Sequence, residues 1–243
     1  MNFLKYFSIF ILVMLFNASK ACAQKLSGEV IYQYRVYNDF LKLDSLSENK
    51  NERVKGVISA VNESLINYQE FFKFSLIFDE DSSNYFWNNM LQNDSMGTMK
   101  FAKILTSSNS FYYTSLKDSV TIEARDFYEK KIIIKRTIKD LHWELINESK
   151  KIGDYICFKA TTTKKAKKNI VVEAWYTPQI PNGFGPKEYS GLPGLILELK
   201  EGDIHYYSNR ILLNPNDRKK IVKNLKGEIM SFDQFNNFLL GFD

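Results

Sequence analysis

The segment from Ala174 to Lys200 constrains the fold more than any other part of the chain. Four of the five prolines and four of the eleven glycines lie in it, so the path of its backbone is restricted. Proline fixes φ near about −65° and removes an N–H donor, whereas glycine permits positive φ. Within residues 192–195 a proline directly precedes a glycine, and this order predicts a type II turn with Gly194 at positive φ.

A strand is predicted directly after this turn. From residue 195 to residue 200, leucine occupies every second position. This period of two is typical of a strand with one well-buried face. The three leucines are therefore expected to point inward, and Ile196, Glu198 and Lys200 are expected on the other side.

The same segment carries a family resemblance. Residues 191–196 spell GLPGLI, and upstream of them stand Trp143, KKIGDYICFKA at residues 150–160 and AWYTPQIP at residues 174–181. In this order and spacing they resemble the GLPGLI family of exported proteins, found mostly in the Bacteroidota, over about residues 140–200. The resemblance implies export and a partner in a TonB-dependent outer-membrane uptake system, but no agreed activity. It marks these residues as a structural motif: Gly185, Pro186, Gly191, Leu192, Pro193, Gly194, Leu195 and Ile196.

The N-terminus is typical of a secretory signal peptide, predicted at residues 1–23. Lys5 is followed by an apolar run of eleven residues at 6–16 and by the small-residue site Ala21-Cys22-Ala23. Eleven residues are too few to cross a bilayer, which takes about 20. We expect cleavage after Ala23 and a location in the periplasm, at the cell surface or outside the cell. Lipidation at Cys22 stays an alternative.

Cysteine usage and net charge bear on two further properties, disulfide bonding and nucleic-acid binding. Without the signal peptide Cys157 is the one cysteine left, so no intramolecular disulfide is expected and stability has to come from packing. The formal net charge of +5 is small for 243 residues and gives no indication of nucleic-acid binding.

Residues 24–243 are expected to form a single β-rich domain of the α+β type. Short alternating segments, separated by Asp, Asn, Ser and Gly, favour an antiparallel meander or a curved sheet. One amphipathic helix is predicted after the first strand, at residues 47–68 with Ser47 as N-cap, and a short C-terminal helix is predicted to begin at Ser231. The candidate strands are 26–37, 72–78, 84–87, 110–115, 121–124, 131–137, 143–147, 155–163, 170–177, 195–200 and 204–213.

Two polar stretches are interpreted as connections. Asn88–Met99 contains three methionines and no clear period, so a mobile loop is expected there. Four lysines fall within residues 164–168; an anion-binding patch is one interpretation, and a solvated hairpin turn is the favoured one.

Catalytic signatures are missing from the sequence. His142 and His205 are the two histidines, and the chain has no H-E-x-x-H, C-x-x-C, phosphate-loop or G-x-S-x-G motif. Cys157 lies in mid-strand, where a packed structural role is favoured over a nucleophile. No metal or other cofactor is expected. An envelope hydrolase that uses carboxylates or Cys157 remains an alternative.

Aromatic residues, 15% of the chain, favour a binding role. A curved sheet with an apolar face can hold a lipid, a peptide or another small ligand. The leading hypothesis is an exported binding or accessory module, and a structural envelope protein is a further alternative. A cleft surrounded by Glu173, Glu188, Glu198 and Asp203 would favour the hydrolase, whereas an apolar concavity would favour the binder. The candidate binding residues are Trp143, Trp175, Tyr176, Phe184 and Tyr189.

Overall fold

A computed structural model describes residues 26–36, 52–88, 99–127, 130–164, 169–223, 226–231 and 234–235. The predicted signal peptide with Cys22, the predicted N-cap Ser47 and most of Asn88–Met99 lie outside the described residues. Among the described residues, no helix has the length and apolar character needed to span a membrane.

The chain is mainly β, as the sequence predicts, with two α-helices and twelve strands in its described part. The helices are α1 (Glu52–Asn67) and α2 (Met99–Leu105). The strands are β1 (Gly28–Val36), β2 (Phe74–Phe78), β3 (Ser82–Trp87), β4 (Ser110–Ser115), β5 (Val120–Phe127), β6 (Lys130–Thr137), β7 (Glu144–Ile152), β8 (Tyr155–Lys164), β9 (Ile170–Thr177), β10 (Leu195–Glu201), β11 (Ile204–Leu213) and β12 (Glu228–Ser231).

All twelve strands form one open sheet with the order β12-β6-β5-β4-β3-β2-β1-β11-β10-β9-β8-β7. Two meanders, β2 to β6 and β7 to β11, meet at β1, which pairs with both β2 and β11. The sheet is mixed rather than purely antiparallel, because β12 runs parallel to β6. The sequence gives no warning of β12, a strand of four residues whose Ile229 is exposed.

One face of the sheet, here called the inner face, carries the main core. Buried residues from β1 to β4 and from β8 to β11 belong to one hydrophobic cluster, so the sheet curves around them. At its centre Phe74 stacks on Tyr85 and meets Tyr206 edge-on, with ring centroids 5.5 Å and 6.0 Å apart. Such aromatic pairs add stability beyond their buried area. Aromatic packing therefore contributes to stability in the described part of the chain, where Cys157 is a free cysteine.

Two helices close part of the inner face. The hydroxyl of Tyr34 donates to the carbonyl of Leu65 in α1 at 2.8 Å. α2 is held against α1, because the amide of Ala102 donates to the hydroxyl of Ser64 at 3.2 Å.

Near the C-terminus, Ser231 and Gln234 form a reciprocal capping box, in which each backbone amide donates to the other side chain, at 2.8 and 3.1 Å.

The loop between β9 and β10, residues 178–194, lies inside the curve of the sheet. Phe184 is buried against Phe78, and the side-chain amide of Asn182 donates to the carbonyl of Asp79 at 2.9 Å. The hydroxyl of Tyr32 donates to the carbonyl of Ile196 at 2.5 Å. The loop is therefore part of the core and anchors the family segment to β1 and β2.

The predicted type II turn is wrong. Positive φ occurs at Gly191 (+91°) and not at Gly194. The amide of Leu195 donates to the carbonyl of Ile180 at 3.0 Å, so the hexapeptide bonds to the preceding loop and not to itself. Gly194 is required for a different reason, since a Cβ there would lie 2.1 Å from the carbonyl oxygen of Thr177.

The alternation predicted for β10 also needs a correction. Leu195, Leu197 and Leu199 are fully buried as expected, but Ile196 is fully buried too. The cause is a register shift between Ile196 and Glu198 in the pairing with β9. A bulge of this kind interrupts the period of two.

Candidate functional site

A cleft of about 920 Å³ lies where the ends of β6 and β8 approach each other across the inner face. Its lining includes four buried residues, Thr121, Thr162, Glu188 and Tyr189. Arg136 and Lys164 line it beside them. Its mouth carries these exposed side chains: Lys135, Asp140, His142 and Glu144. The cleft is thus polar and charged, and not the apolar concavity considered for a binder.

One wall of the cleft rests on a buried carboxylate with two arginines, here called the Glu123 cluster (Glu123, Arg125, Arg136 and Ser110). Arg125 and Arg136 lie 2.5 and 2.9 Å from the two oxygens of Glu123. The hydroxyl of Ser110 donates to the same carboxylate at 2.9 Å. Burial alone would raise the pKa of Glu123, but the two arginines outweigh it and lower this pKa to about 2.

The opposite wall rests on a second set of charges, here called the Glu201 cluster (Lys164, Lys187, Glu188 and Glu201). Lys164 lies 3.1 Å from Glu188 and 2.5 Å from Glu201. Lys187 contacts the other oxygen of Glu201 at 2.7 Å. Burial opposes ionisation of both glutamates, yet the neighbouring cations hold the pKa of each below its ordinary value.

The two clusters are coupled through Arg136 and Glu188. Burial has the largest effect on the pKa of Arg136, and the carboxylate of Glu188 has the next largest, which raises it. Arg136 in turn lowers the pKa of Glu188. Together the clusters hold four cations and three carboxylates. A buried ion is stable only when paired, so the clusters fix β5, β6, β8, β10 and the loop relative to one another.

Strand register explains why these charges face inward. Glu123 pairs with Ile134, and Thr121 pairs with Arg136. Residues opposite each other in an antiparallel pair share a face, and side chains two apart on a strand do so as well. Glu123, Arg125 and Arg136 are therefore on the face of the buried Ile134.

The loop supplies two of the buried charges, Lys187 and Glu188, and the first of these has a strained backbone. Lys187 has φ of 56°, a left-handed conformation that is uncommon for residues other than glycine. Its ammonium also lies 4.6 Å from the ring centre of Tyr206. Ion pairing and this ring contact stabilise a conformation that costs of order 1–3 kcal/mol.

The outer face carries a contrasting set of charges, here called the outer ladder (Glu148, Lys150, Lys159, Glu173, Trp175, Glu198 and His205). Lys159 lies between Glu148 and Glu173, at 3.2 and 3.1 Å. Lys150 contacts Glu198 and lies 4.3 Å from the ring centre of Trp175.

Among the candidate binding residues, Tyr189 lines the cleft. Trp143 packs edge-on against Tyr189, with centroids 6.2 Å apart, and its indole N–H donates to the carbonyl of Ser190 at 2.9 Å. Phe184 and Tyr176 belong to the core, and Trp175 belongs to the outer ladder. The structure therefore does not bring these five aromatic residues together.

The carboxylates considered for a hydrolase are also dispersed. Glu188 lines the cleft, whereas Glu173 and Glu198 lie in the outer ladder. Asp203 lies in the turn between β10 and β11, away from the cleft lining.

Most residues of the two clusters were missed by sequence reasoning. Lys164 is the first residue of the lysine run interpreted as a solvated turn, and for it that interpretation is wrong: it ends β8 and points inward. Glu123 lies in the predicted strand 121–124 and Arg125 directly follows it, so an extension of the strand by one residue would place both on one face. That this face is buried depends on the curvature of the sheet, for which the sequence carries no local signal.

Cys157 and the buried glutamates of the clusters do not have the pKa shifts that nucleophilic attack or general acid catalysis requires. Burial, and next the carboxylate of Glu198, raise the pKa of the Cys157 thiol to about 11, whereas a nucleophilic thiol has a lowered pKa. Each buried glutamate of the clusters is held ionised, whereas a general acid needs a raised pKa. In the described part of the chain, no group of three or more His, Cys, Asp or Glu side chains could hold a metal ion.

Residues 162–198 match the model of a family described as a protein of unknown function (Porph_ging). The matched segment runs from the end of β8 through β9 and the loop into β10, and it includes Lys164, Glu188 and the hexapeptide. This match is compatible with the resemblance drawn from the hexapeptide. No curated protein matches the chain.

Solved structures give a likeness in fold. PNGF-II in space group P21 superimposes with a TM-score of 0.52 at 13% identity, over 88% of this chain and 33% of the PNGF-II chain. The C2 form of PNGF-II gives a TM-score of 0.47 at 15% identity, over 90% and 33%. An uncharacterized conserved protein from Thermus thermophilus gives 0.35 at 6% identity, over 91% and 98%.

The first of these likenesses shows a shared fold alone, because its sequence identity is so low. The other two TM-scores are too low to support an argument. The chain spans about a third of the length of the PNGF-II chain, so it corresponds to a part of that protein.

Proposed function

We propose that the protein is an exported binding or accessory module of the cell envelope, and that its ligand occupies the cleft between β6 and β8. The observation that carries this proposal is the cleft of about 920 Å³ with its charged, prearranged walls. Binding pockets of this size combine few, precisely placed polar groups with a rigid scaffold. Here the scaffold is the pair of buried ion clusters.

The character of the cleft narrows the ligand to a polar one. A lipid tail in the cleft would cover the hydroxyl of Thr162 and the remaining N–H donor of Lys164 without giving either a hydrogen-bond partner, which costs free energy. A polar small molecule or a peptide segment suits these walls better. For the accessory role we propose an outer-membrane uptake protein as partner, and this rests on the family resemblance.

A hydrolytic function finds less support. The glutamates of the clusters are ionised and engaged with cations. Cys157 is fully buried and its pKa is raised. A purely structural role would leave the cleft without a ligand, and native mass spectrometry distinguishes that role from a binding role.

The test is native mass spectrometry of the protein purified from its own envelope, as wild type and as two tryptophan variants. Asp140 is exposed and lines the cleft, so Asp140→Trp should fill the mouth and abolish co-purification of the ligand. Lys139, the residue before it, is exposed and outside the lining, so Lys139→Trp should retain the ligand. A ligand kept equally by both variants would place binding elsewhere, and no retained mass in any form would favour the structural alternative.

A further inference from the structure

We propose that the floor of the cleft is a binding site for an anionic group, a carboxylate or a phosphate, held by Lys164, Arg136 and the hydroxyl of Thr162. This inference rests on the proposed function, because it names the ligand chemistry of the same cleft.

The order of charges from the interior to the cleft supports it. The side chains of Glu123, Glu188 and Glu201 are 1%, 7% and 10% exposed, whereas those of Arg136 and Lys164 are 18% and 27% exposed. Glu123 and Glu188 thus lie behind Arg136 and Lys164, whereas Lys187, at 4%, is deeper than its partner Glu201. At the floor of the cleft, a ligand therefore meets the ammonium of Lys164 and the guanidinium of Arg136 before these two carboxylates.

The charge balance of the two clusters points the same way. Of the cluster side chains, two cations (Arg136 and Lys164) and one carboxylate (Glu188) line the cleft, so this part of the lining carries one positive charge in excess. Excess charge in a partly buried site is screened less than on the surface. An anion would balance it, and a cation would meet repulsion.

Hydrogen-bond capacity is available at the floor. The ammonium of Lys164 has three N–H donors and contacts two glutamates among the described residues, which leaves a donor for a ligand. The hydroxyl of Thr162 makes no hydrogen bond to a described residue and lines the same cleft. Because Thr162 and Lys164 are two apart on β8, both side chains point to the inner face. Hydrogen bonds to an ionised group are the strong ones in proteins.

The acidic side chains at the mouth do not reverse this field. Asp140 and Glu144 are exposed, and Lys135 stands with them at the mouth. Exposed charges are screened by salt over about 8 Å at physiological ionic strength. The mouth thus carries two carboxylates against one ammonium, a net negative charge that salt screens, while the floor is positive.

The test is isothermal titration calorimetry of the purified chain with inorganic phosphate, galacturonate and galactose. Galacturonate and galactose differ at one carbon, which is a carboxylate in the first and a hydroxymethyl group in the second. We expect phosphate and galacturonate to bind, with affinity that falls as salt rises, and galactose to bind at least about tenfold more weakly.

Two variants that keep the ion clusters intact locate the site. Thr162→Val removes the hydroxyl at nearly constant volume and should lower the affinity for both anions about tenfold. Lys135→Gln removes a charge at the mouth and should lower these affinities less. Lys131→Gln, on the same strand but outside the cleft lining, should change nothing. Thermal melting of each variant verifies that it is folded.

Three outcomes would overturn the anion site, and they differ in what they mean for the proposed function. If galactose bound as tightly as galacturonate and Thr162→Val weakened both, the cleft would be a binding site for neutral ligands and the proposed function would stand. If the anions bound equally to Thr162→Val, Lys135→Gln and Lys131→Gln, their site would lie elsewhere. If no probe bound, the anion site would be wrong, and the native mass spectra would decide the proposed function separately.

Discussion

Two lysines of β8 show how the face of a strand decides what an ion pair does. Lys159 and Lys164 each contact two glutamates at similar distances. The partners of Lys159, on the outer face, are 54% and 33% exposed, whereas those of Lys164, on the inner face, are 7% and 10% exposed. The same residue types on one strand therefore form a solvated ladder on one side and a buried cluster on the other.

The difference is one of desolvation. Removing one partner of a buried ion pair leaves an uncompensated charge, at a cost of about 3–5 kcal/mol. An exposed pair contributes little, because water and salt replace the lost partner. The inner clusters should thus determine stability and ligand chemistry, and the outer ladder should determine neither.

The largest expected effect is that of Glu201→Gln. It leaves Lys187 buried without its carboxylate partner among the described residues, so the free energy of unfolding should fall by about 3–5 kcal/mol. Urea denaturation followed by circular dichroism measures it. The matched control is Glu148→Gln, which removes an exposed partner of Lys159. Equal losses in the two variants would contradict the distinction between the faces.

Acid should unfold the protein through the inner clusters. The pKa of Glu123 is lowered to about 2, and those of Glu188 and Glu201 are lowered as well. A glutamate whose folded pKa is depressed contributes stability above its unfolded pKa, and this contribution is lost as pH falls toward the folded value. For Glu123 alone this contribution to the free energy of unfolding is of order 3 kcal/mol, and it is lost between about pH 4.5 and pH 2.

Denaturation curves at a series of pH values measure this dependence. Glu123→Gln cannot titrate, so its stability should depend less steeply on pH in that window, whereas Glu148→Gln should keep the slope of the parent. A stability that stays constant down to about pH 2 would show that the clusters do not control acid unfolding.

Gly194→Ala should disturb the loop that carries Lys187 and Glu188 inward. The new Cβ would lie 2.1 Å from the carbonyl oxygen of Thr177, a backbone atom that cannot turn aside. Overpacking of this kind costs about 1–3 kcal/mol, occasionally more.

Gly56→Ala is the control for this variant. No atom lies within 4 Å of the Cβ position of this residue in α1, so alanine should raise stability by about 0.5–1 kcal/mol. A Gly194→Ala variant that melts like the parent but loses its ligand would make the hexapeptide a recognition element and not a folding element.

Cys157→Ala should have a smaller effect, of order 1 kcal/mol. Cys157 pairs with Lys150 across β7 and β8 and is fully buried. A thiol reagent should therefore label the native protein slowly, and denaturant should accelerate the reaction. Labelling faster than that of a free cysteine would indicate an activated thiol and revive the hydrolase alternative.

Sequence patterns sufficed for the mainly β character of the fold and for most strands, because alternation and turn residues are local signals. They failed where a distant backbone intervened. The hexapeptide bonds to Ile180 rather than to its own turn, and Ile196 is buried because the pairing with β9 shifts.

The candidate site was harder to predict than the fold for a related reason. Glu123 on β5 and Lys164 on β8 come from opposite halves of the sheet order, and its curvature brings their clusters to one cleft. Local alternation indicates which residues share a face. It does not indicate which face is closed over by a loop such as residues 178–194.

The smallest expected effect is that of Lys159→Gln, which tests the outer ladder directly. This lysine bridges Glu148 and Glu173 on the face exposed to solvent. Its removal leaves two carboxylates that water can hydrate, so the urea midpoint and the affinity for galacturonate should equal those of the parent. Raising the salt concentration should not create a difference in urea midpoint between Lys159→Gln and the parent either, since salt already screens such exposed pairs. A midpoint lowered as far as that of Glu201→Gln would mean that the ladder stabilises the sheet as strongly as the buried clusters do, and exposure would then not explain the difference between the two faces.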